Sequence, residues 1–254
     1  MKILLLCNKS PFPPREGGPI AMNMIVEGLM EAGHEVRILA FNSNKYFIPT
    51  ESIPSDYREK TKIRLIPVDL SLKAKDAFLN LFSSQSYHVQ RFISQDFRKN
   101  LEDILKKESF DVVQFEMIYM APYLDSVRKY SSAKTVLRTH NIEHLIWERV
   151  AAHTRQPFKK IYLKYLAEKL KRYECSVIRE FDGIAAITEK DAKYFREISG
   201  DAAFSEKITS IPFGIDFEQF PESSVLHEFP SLFSLGSMDW IPNLEGISWF
   251  LEKV

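Results

Sequence analysis

The sequence contains 254 residues, 45% of them hydrophobic and 27% charged, which is typical of a globular protein with one or two domains. Lysines and arginines together number 34, as do aspartates and glutamates, so the overall charge indicates neither a nucleic-acid partner nor an anionic membrane. The two cysteines, Cys7 and Cys175, are too few for a disulfide framework or a thiolate metal cluster, and they suit a reducing cytoplasm.

Strand-like and helix-like segments alternate along most of the chain. The first apolar run, KILLLC, predicts a buried strand and is too short for a secretion signal or a membrane span. A helix is predicted from Pro19 to Gly33, because proline is favoured at the first helical position and glycine at the end. Further strands are predicted at 35–41, 62–68, 111–115, 134–139, 183–188 and 207–212. Further helices are predicted at 88–108, 121–130, 157–181 and from 189 onward, whereas 42–61 has no assignment.

This alternation predicts an α/β fold, namely a Rossmann-like, doubly wound sheet that is mainly parallel and has helices on both faces. The strands are apolar at consecutive positions, which is typical of strands covered on both sides, and helical crossovers imply parallel pairing. Ligands of such sheets bind beyond the carboxyl ends of the strands. The residues that follow the predicted strands are Asn8, Asn42, Glu116, His140, Thr188 and Phe213.

A second unit follows the segment IPFGIDFEQF. The next stretch, PESSVLHEFP, lacks a helix or strand pattern and is bracketed by Pro221 and Pro230, which is typical of a linker. We therefore predict an amino-terminal domain at 1–221, a linker at 222–230 and a second domain that starts at 231–254.

The second unit is predicted to hold one strand, at 231–238, and one helix, at 242–254. The helix has apolar residues largely on one side, among them Trp249 and Leu251, and nothing in the sequence follows that would cover them. We expect the second domain to be truncated.

The loop NKSPFPPREGGP joins the first strand to the first helix and ends near the pair Gly17 and Gly18. Glycines at a helix start let the backbone approach a ligand, and the free amides there favour a phosphate or carboxylate. A tight turn needs glycine equally well, so both interpretations stay open. The motif G-x-G-x-x-G is missing, and Asn42 replaces the acidic residue that would hold a ribose, so a nicotinamide dehydrogenase is disfavoured.

The segment RTHNIEH contains the pattern H-x-x-E-H, an inverted zinc-peptidase signature. Zinc binding requires His140 and His144 on one helical face. Asn141 is instead a good N-cap, which would leave His140 outside the helix, at the end of a strand. Three hypotheses follow for His140: contact with a hydroxylated ligand, which we favour, a structural bond to the backbone, or a metal ligand.

Two further features have a functional and a structural interpretation. Glu116, at the end of a strand, orients an acceptor hydroxyl, acts as a base, or caps the next segment. The helix at 155–181 has a stripe of apolar residues that is expected to be core, while its lysines form a solvated face or meet anionic lipid. We favour the solvated face.

Several of these segments resemble family 4 glycosyltransferases of the GT-B fold. The match runs from the opening strand, glycine-pair loop and helix, through RTHNIEH and AAITEKDAKYF, to IPFGIDFEQF and GSMDWIPNLEGISWF. One departure is Phe213, which stands where the family has asparagine before Gly214. The resemblance implies that the chain covers the amino-terminal half of a two-domain GT-B enzyme and the start of its donor-binding domain.

The resemblance also implies roles for individual residues. Gly17 and Gly18 would face the phosphates or sugar of the donor, and His140 would contact a hydroxyl of the transferred sugar, so His140 and Glu116 are the catalytic candidates. The remaining candidates for donor or acceptor binding are Asn141, Gly214, Gly236 and Ser237.

The activity implied is that of a retaining glycosyltransferase that moves a sugar from a nucleotide diphosphate sugar to a glycan or lipid-linked glycan. It would need no cofactor and no metal, and this chain alone would be inactive. We expect a cytoplasmic location with peripheral contact to the inner face of the membrane. The alternatives are a non-catalytic Rossmann-like module that binds a small anion or carbohydrate, and a zinc hydrolase that uses His140 and His144.

Overall fold

The computed structural model describes residues 1–214, 231–234, 236, 238 and 241–254. The chain divides into two compact units, Met1–Gly214 and Ile215–Val254. The predicted linker at 222–230 lies outside the described residues, so the predicted domain boundaries remain a prediction.

The first unit is built on a parallel sheet of seven strands. The strands are β1 (Lys2–Cys7), β2 (Glu35–Ser43), β3 (Arg64–Val68), β4 (Val112–Glu116), β5 (Lys134–Thr139), β6 (Gly183–Ala186) and β7 (Ile208–Ser210). Their order across the sheet is β3-β2-β1-β4-β5-β6-β7, and all neighbours pair in parallel. The order reverses at β1, as in doubly wound folds, and confirms the predicted fold class.

Helices connect the strands. They are α1 (Gly17–Glu31), α2 (Ser55–Thr61), α3 (Ala74–Asn80), α4 (Tyr87–Gln90), α5 (Gln95–Lys107), α6 (Leu124–Tyr130), α7 (Glu143–His153), α8 (Pro157–Val177), α9 (Glu189–Ser199) and α10 (Ala202–Ser205). Short 3₁₀ turns lie at Thr50–Ser52, Ile118–Tyr123 and Ile178–Glu180. The unassigned stretch at 42–61 therefore contains a 3₁₀ turn and α2.

Both faces of the sheet are buried, as the consecutive apolar residues of the strands predict. In β1, Leu4 and Leu6 belong to one hydrophobic cluster, whereas Ile3, Leu5 and Cys7 belong to another. Successive side chains of a strand point to opposite faces, so β1 contributes to two cores at once.

The boundaries of α1 differ from the prediction at one end and agree at the other. The helix begins at Gly17, two residues before Pro19, so the glycine pair forms part of its first turn. At the other end, Gly33 has a φ of +78°, a left-handed conformation that favours glycine and ends the helix as predicted.

The single helix predicted at 88–108 is two helices, α4 and α5. Ser94 separates them, because its hydroxyl accepts a hydrogen bond from the amide of Phe97 and caps α5. One face of α5 packs into the core, since Phe97, Leu101, Ile104 and Leu105 are all buried.

In the second unit, the predicted helix is confirmed as α11 (Ile241–Lys253). Its side chains Leu244, Trp249 and Leu251 are exposed. The predicted strand is wrong at 231–234, which have no regular secondary structure. A strand needs a hydrogen-bonded neighbour, and residues 231–234 have none among the residues that the structure describes. Across the described helices, none is long and apolar enough to cross a membrane.

Candidate active site at the carboxyl edge of the sheet

Three central strands bring the main candidate residues together. In the register of the sheet, Glu116 at the end of β4 pairs with Cys7 on one side and with Arg138 on the other. His140 lies two positions after Arg138 and directly follows Thr139, the last residue of β5. Parallel strands end at one edge of the sheet, so the sequence places Glu116, Arg138 and His140 at the same edge.

The carboxylate of Glu116 is at the centre of this group and is fully buried. Its Oε2 lies 2.7 Å from Nε2 of His140 and accepts a hydrogen bond from Nη1 of Arg138 at 3.2 Å. Its Oε1 accepts a hydrogen bond from Nε2 of Gln114 at 2.5 Å. A buried carboxylate costs much free energy unless it is paired in this way.

These contacts determine the ionisation of Glu116. Burial would raise the pKa of this carboxyl, but the hydrogen bond from His140 and the charge of Arg138 outweigh burial and lower the pKa below its ordinary value. An ionised carboxylate only accepts hydrogen bonds, so Nε2 of His140 carries the proton that lies between them. In the neutral ring, Nδ1 then holds the lone pair, and it has no hydrogen-bond partner within the described part of the chain.

Arg138 connects the group to two other parts of the first unit. Its Nη1 lies 3.4 Å from the carbonyl oxygen of Ala21 in α1 and 3.3 Å from Nε2 of His140. Its guanidinium lies over the ring of Phe213, 5.7 Å from the centroid, which gives a physical role to the aromatic residue that replaces the expected asparagine. Nε and Nη2 of Arg138 are buried and have no hydrogen-bond partner among the described residues.

Sequence analysis missed Arg138 although it is part of RTHNIEH. The available signal was an arginine at the carboxyl end of a strand that is predicted to be covered on both faces, because a buried arginine requires a partner. The capping interpretation of Glu116 is wrong, because the 3₁₀ turn that follows β4 has no side-chain cap. Its carboxylate is buried against His140 and Arg138, and its function as a base or in orienting an acceptor hydroxyl remains a prediction.

The glycine-pair loop lies at the start of α1. Glu16 is the N-cap residue, no side chain caps the helix, and the first turn contains no acidic residue. A Cβ on Gly18 would lie 3.0 Å from Cε of Lys9, whose Nζ is 3.0 Å from Oε2 of Glu16. The second glycine therefore makes room for Lys9, and the uncapped amides of α1 keep anion binding open as the other interpretation.

The second histidine of the motif belongs to a different group. His144 is fully buried in the first turn of α7, where Nδ1 lies 2.5 Å from Oε2 of Glu174 and Nε2 lies 2.9 Å from the hydroxyl of Tyr194. Because both ring nitrogens are bonded, His144 has no lone pair for a metal. The zinc interpretation of H-x-x-E-H is therefore wrong for this arrangement.

The predicted start of α7 is wrong, and the position of Glu174 in α8 explains why. The helix was expected to begin after Asn141 as N-cap, but it begins at Glu143, and the N-cap residue Ile142 has no side-chain bond. The amides of Glu143 and His144 instead donate to the two carboxylate oxygens of Glu174, at 3.2 and 3.1 Å. The side chain of Glu174 from another helix replaces the local cap, since its two oxygens accept from amides of the first turn.

Glu143 itself is buried beside this group. Burial, opposed by a hydrogen bond from the hydroxyl of Tyr119 and reinforced by the charge of Glu174, raises the pKa of Glu143 to about 7. The Tyr119 hydroxyl donates to Oε2 of Glu143 at 2.6 Å. The described residues contain no cluster of three or more His, Cys, Asp or Glu side chains arranged to hold a metal ion.

The roles of Gly214, Gly236 and Ser237 in donor or acceptor binding remain predictions. Gly214 is the last residue of the first unit and is exposed. Gly236, in the second unit, has a φ of +146° and lies against Asn243. Ser237 lies outside the described residues. Thr188 caps α9 by accepting a hydrogen bond from the amide of Asp191 at 3.0 Å.

The predicted core stripe of α8 is confirmed. Leu166, Leu170 and Val177 are buried, and the stripe continues to the buried Phe181 beyond the helix. Lys159 and Lys164 are exposed on the rest of the helix surface, whereas Lys169 is buried.

Comparison with known proteins gives a family match over most of the chain. The model of Glycosyltransferase Family 4 matches residues 17–219. A protein of Klebsiella pneumoniae, described as an uncharacterized 44.6 kDa protein in the cps region, is 24% identical over 253 residues. The chain spans 60% of the length of this curated relative, whereas the alignment covers 100% of the chain.

Solved structures show weaker similarity. The structure of Arabidopsis thaliana UGT89C1 complexed with UDP-L-rhamnose is 14% identical, with a TM-score of 0.46, and the match covers 100% of this chain and 54% of that one. An α,α-trehalose 6-phosphate synthase from Burkholderia multivorans is 12% identical, with a TM-score of 0.41, and the match covers 86% of this chain and 50% of that one.

Proposed function

The chain belongs to glycosyltransferase family 4, and on this basis we propose that it forms the acceptor-side part of a retaining glycosyltransferase. The enzyme would move a sugar from a nucleotide diphosphate sugar to a glycan or lipid-linked glycan. Residues 1–221 would be the amino-terminal domain of a GT-B enzyme, and 231–254 would begin the domain that supplies most donor contacts. The enzyme would be cytoplasmic and would meet the membrane peripherally.

The observation that supports this function most directly is the position of His140. The imidazole follows β5 at the carboxyl edge of the sheet, where ligands of such folds bind, and its Nε2 is fixed by the carboxylate of Glu116. Nδ1 is thereby available to a sugar hydroxyl. We propose that this bond orients the transferred sugar, because a group held in one geometry lowers the cost of reaching the transition state.

Arg138 and Glu116 are positioning residues in this proposal. Their ion pair is buried, at 3.2 Å, and gives the imidazole one orientation and one tautomer. The first turn of α1, with Gly17 and Gly18, would present amides to the donor's diphosphate. As the bond to the sugar breaks, negative charge grows on that leaving group, and oriented amides stabilise it without a metal ion.

The test uses a longer protein that carries this chain together with a complete donor domain. It is incubated with a panel of nucleotide sugars and candidate acceptors, and release of nucleotide diphosphate is measured with and without a chelator. We expect turnover of one donor class that persists in the chelator. His140→Ala should lower turnover by about 100-fold, the usual loss when one transition-state hydrogen bond is removed.

The matched control is His153→Ala, which removes an exposed histidine at the end of α7. Turnover by this variant should equal that of the parent protein. Failure of every nucleotide sugar to react would contradict transferase activity, and binding of a sugar or anion without turnover would favour the binding-module alternative. Equal losses in the two histidine variants would contradict the role given to His140.

A further inference from the structure

Large apolar side chains cover an outward-facing part of α8. Phe158, Ile161 and Tyr165 occupy positions i, i+3 and i+7, which lie on one side of a helix, and all three are exposed. Phe158 is 87% exposed, which is high for a large aromatic side chain in a folded unit. We call these three residues the outward row.

The outward row is separate from the side of α8 that holds the fold together. Leu163, Leu166 and Leu170 are buried and pack on the first unit, so the helix already has its core face. The same outward line continues toward the carboxyl end of α8 as Glu168 and Arg172, which are charged and form an ion pair at 3.2 Å. The apolar character is thus confined to the first half of the helix.

The end of α3 extends the apolar surface beside the outward row. The hydroxyl of Tyr165 donates to the carbonyl oxygen of Leu81 at 2.8 Å, and Nζ of Lys169 donates to the carbonyl oxygen of Asn80 at 2.7 Å. These bonds hold the end of α3 against α8. Leu79 and Phe82, on either side of the bonded residues, are both exposed.

The charged residues in the stretch of α8 that carries the outward row are all basic, and the acidic Glu168 beyond it is paired with Arg172. Four basic residues and no acidic residue occur between positions 155 and 165, namely Arg155, Lys159, Lys160 and Lys164. Lys159 and Lys164 are exposed, and Lys160 donates to the carbonyl oxygen of Ala152. An apolar row interleaved with exposed lysines complements a lipid surface, which offers hydrocarbon below a layer of anionic headgroups.

We propose that the outward row of α8, together with Leu79 and Phe82, is a docking surface for a membrane that contains anionic lipids. It deepens the proposed function, because a lipid-linked acceptor would be met at such a surface, and it names the residues that make the contact. Docking itself needs neither donor nor acceptor. The overall neutrality of the chain hides this surface, since the lysines near the row are balanced by acidic residues elsewhere.

The test is co-sedimentation of the 254-residue chain with vesicles of phosphatidylcholine, with and without phosphatidylglycerol. We expect binding to the anionic vesicles only, and weaker binding as salt is added. The double variant Phe158→Ser, Ile161→Ser should lose about tenfold or more in affinity, since it removes two apolar anchors. Lys159→Gln with Lys164→Gln should abolish the preference for anionic vesicles.

The matched control changes exposed apolar residues on another helix. In α11, Trp249→Ser with Leu251→Ser removes side chains as exposed as those of α8, but this helix carries Glu245 and Glu252 near them. Binding by this variant should be unchanged. All substituted residues are exposed, so far-UV circular dichroism should match that of the parent chain.

Three results would overturn the proposal: equal binding to neutral vesicles, binding retained by the outward-row variant, or binding lost only in the α11 variant. Sedimentation velocity can give a fourth such result. If the parent chain is a dimer and the outward-row variant is a monomer, a second copy of the chain covers the outward row instead of a membrane. Nucleotide sugar turnover in detergent should be unaffected by the outward-row substitutions. Loss of vesicle binding and loss of transferase activity are therefore separate outcomes.

Discussion

His140 and His144 are four residues apart in the sequence, and each lies against a buried glutamate. His140 meets Glu116 at 2.7 Å, and His144 meets Glu174 at 2.5 Å. The two neighbourhoods differ in the second ring nitrogen. In His144 it is bonded to Tyr194, whereas in His140 it has no partner among the described residues.

This difference gives His144 a structural role, whereas the role of His140 as a ligand contact rests on the proposed function. His144 and Glu174 tie α7 to α8 in the interior, where every polar atom of the pair is bonded, as buried polar groups require. His140 lies at the edge of the sheet with its Nε2 against Glu116, its side chain is 6% exposed, and its Nδ1 has no partner among the described residues. A motif of two histidines is therefore better judged by the bonds of each ring than by spacing.

The largest loss of stability is expected when the interior group formed by Glu174, His144 and the first amides of α7 is disrupted. Glu174→Ala removes the acceptor of two α7 amides and of the His144 ring, and leaves them buried without partners. The free energy of unfolding should fall by about 3–5 kcal/mol, as it does when one member of a buried polar pair is removed. Urea unfolding followed by circular dichroism measures this change.

The matched control for that variant is Glu168→Ala on the same helix, which removes only a surface ion pair with Arg172. Its effect should stay below about 0.5 kcal/mol. If the two variants were equally stable, the interior group would not hold α7 and α8 together.

The next largest effect is a change of the free energy of unfolding with pH, which arises from Glu143 beside the interior group. The pKa of Glu143 is raised from 4.5 to about 7 in the folded protein, mainly by burial. The folded state therefore holds this proton more tightly than the unfolded state, and its stabilising contribution is lost as pH rises from about 4.5 to about 7. By proton linkage the loss reaches about 3 kcal/mol.

Glu143→Gln removes this titration but keeps an oxygen that accepts from Tyr119. The free energy of unfolding of the variant minus that of the parent protein should therefore increase by about 3 kcal/mol between about pH 4.5 and about pH 8. Taking the difference cancels the titration of all other groups. A difference that does not change with pH would show that folding does not raise the pKa of Glu143.

The smallest effect on stability is expected at the edge of the sheet. His140→Ala should lower the free energy of unfolding by only about 1 kcal/mol, because Glu116 keeps its bonds to Arg138 and Gln114. Thermal and urea unfolding of this variant measure the change. If His140→Ala lowered the free energy of unfolding as much as Glu174→Ala, both histidines would have the same structural role.

The sequence determined the fold class and the positions of several candidate residues. Strands such as KILLLC are apolar at consecutive positions and alternate with helices, and this local pattern predicts a parallel sheet buried on both faces. Residues that follow parallel strands share one edge of the sheet, so the order of elements alone places Glu116 and His140 near each other. The face of α5 and the cap at Thr188 follow from equally local rules.

Only the tertiary structure decided which polar groups meet. Glu174 caps a helix that begins 31 positions earlier in the sequence, and Arg138 contacts Ala21 across 117 positions. Such bonds depend on strand register and helix packing, which a local pattern does not contain. For the same reason the outward row of α8 was not predicted, because a helix with apolar residues on more than one side reveals which of them is covered only when its neighbours are in place.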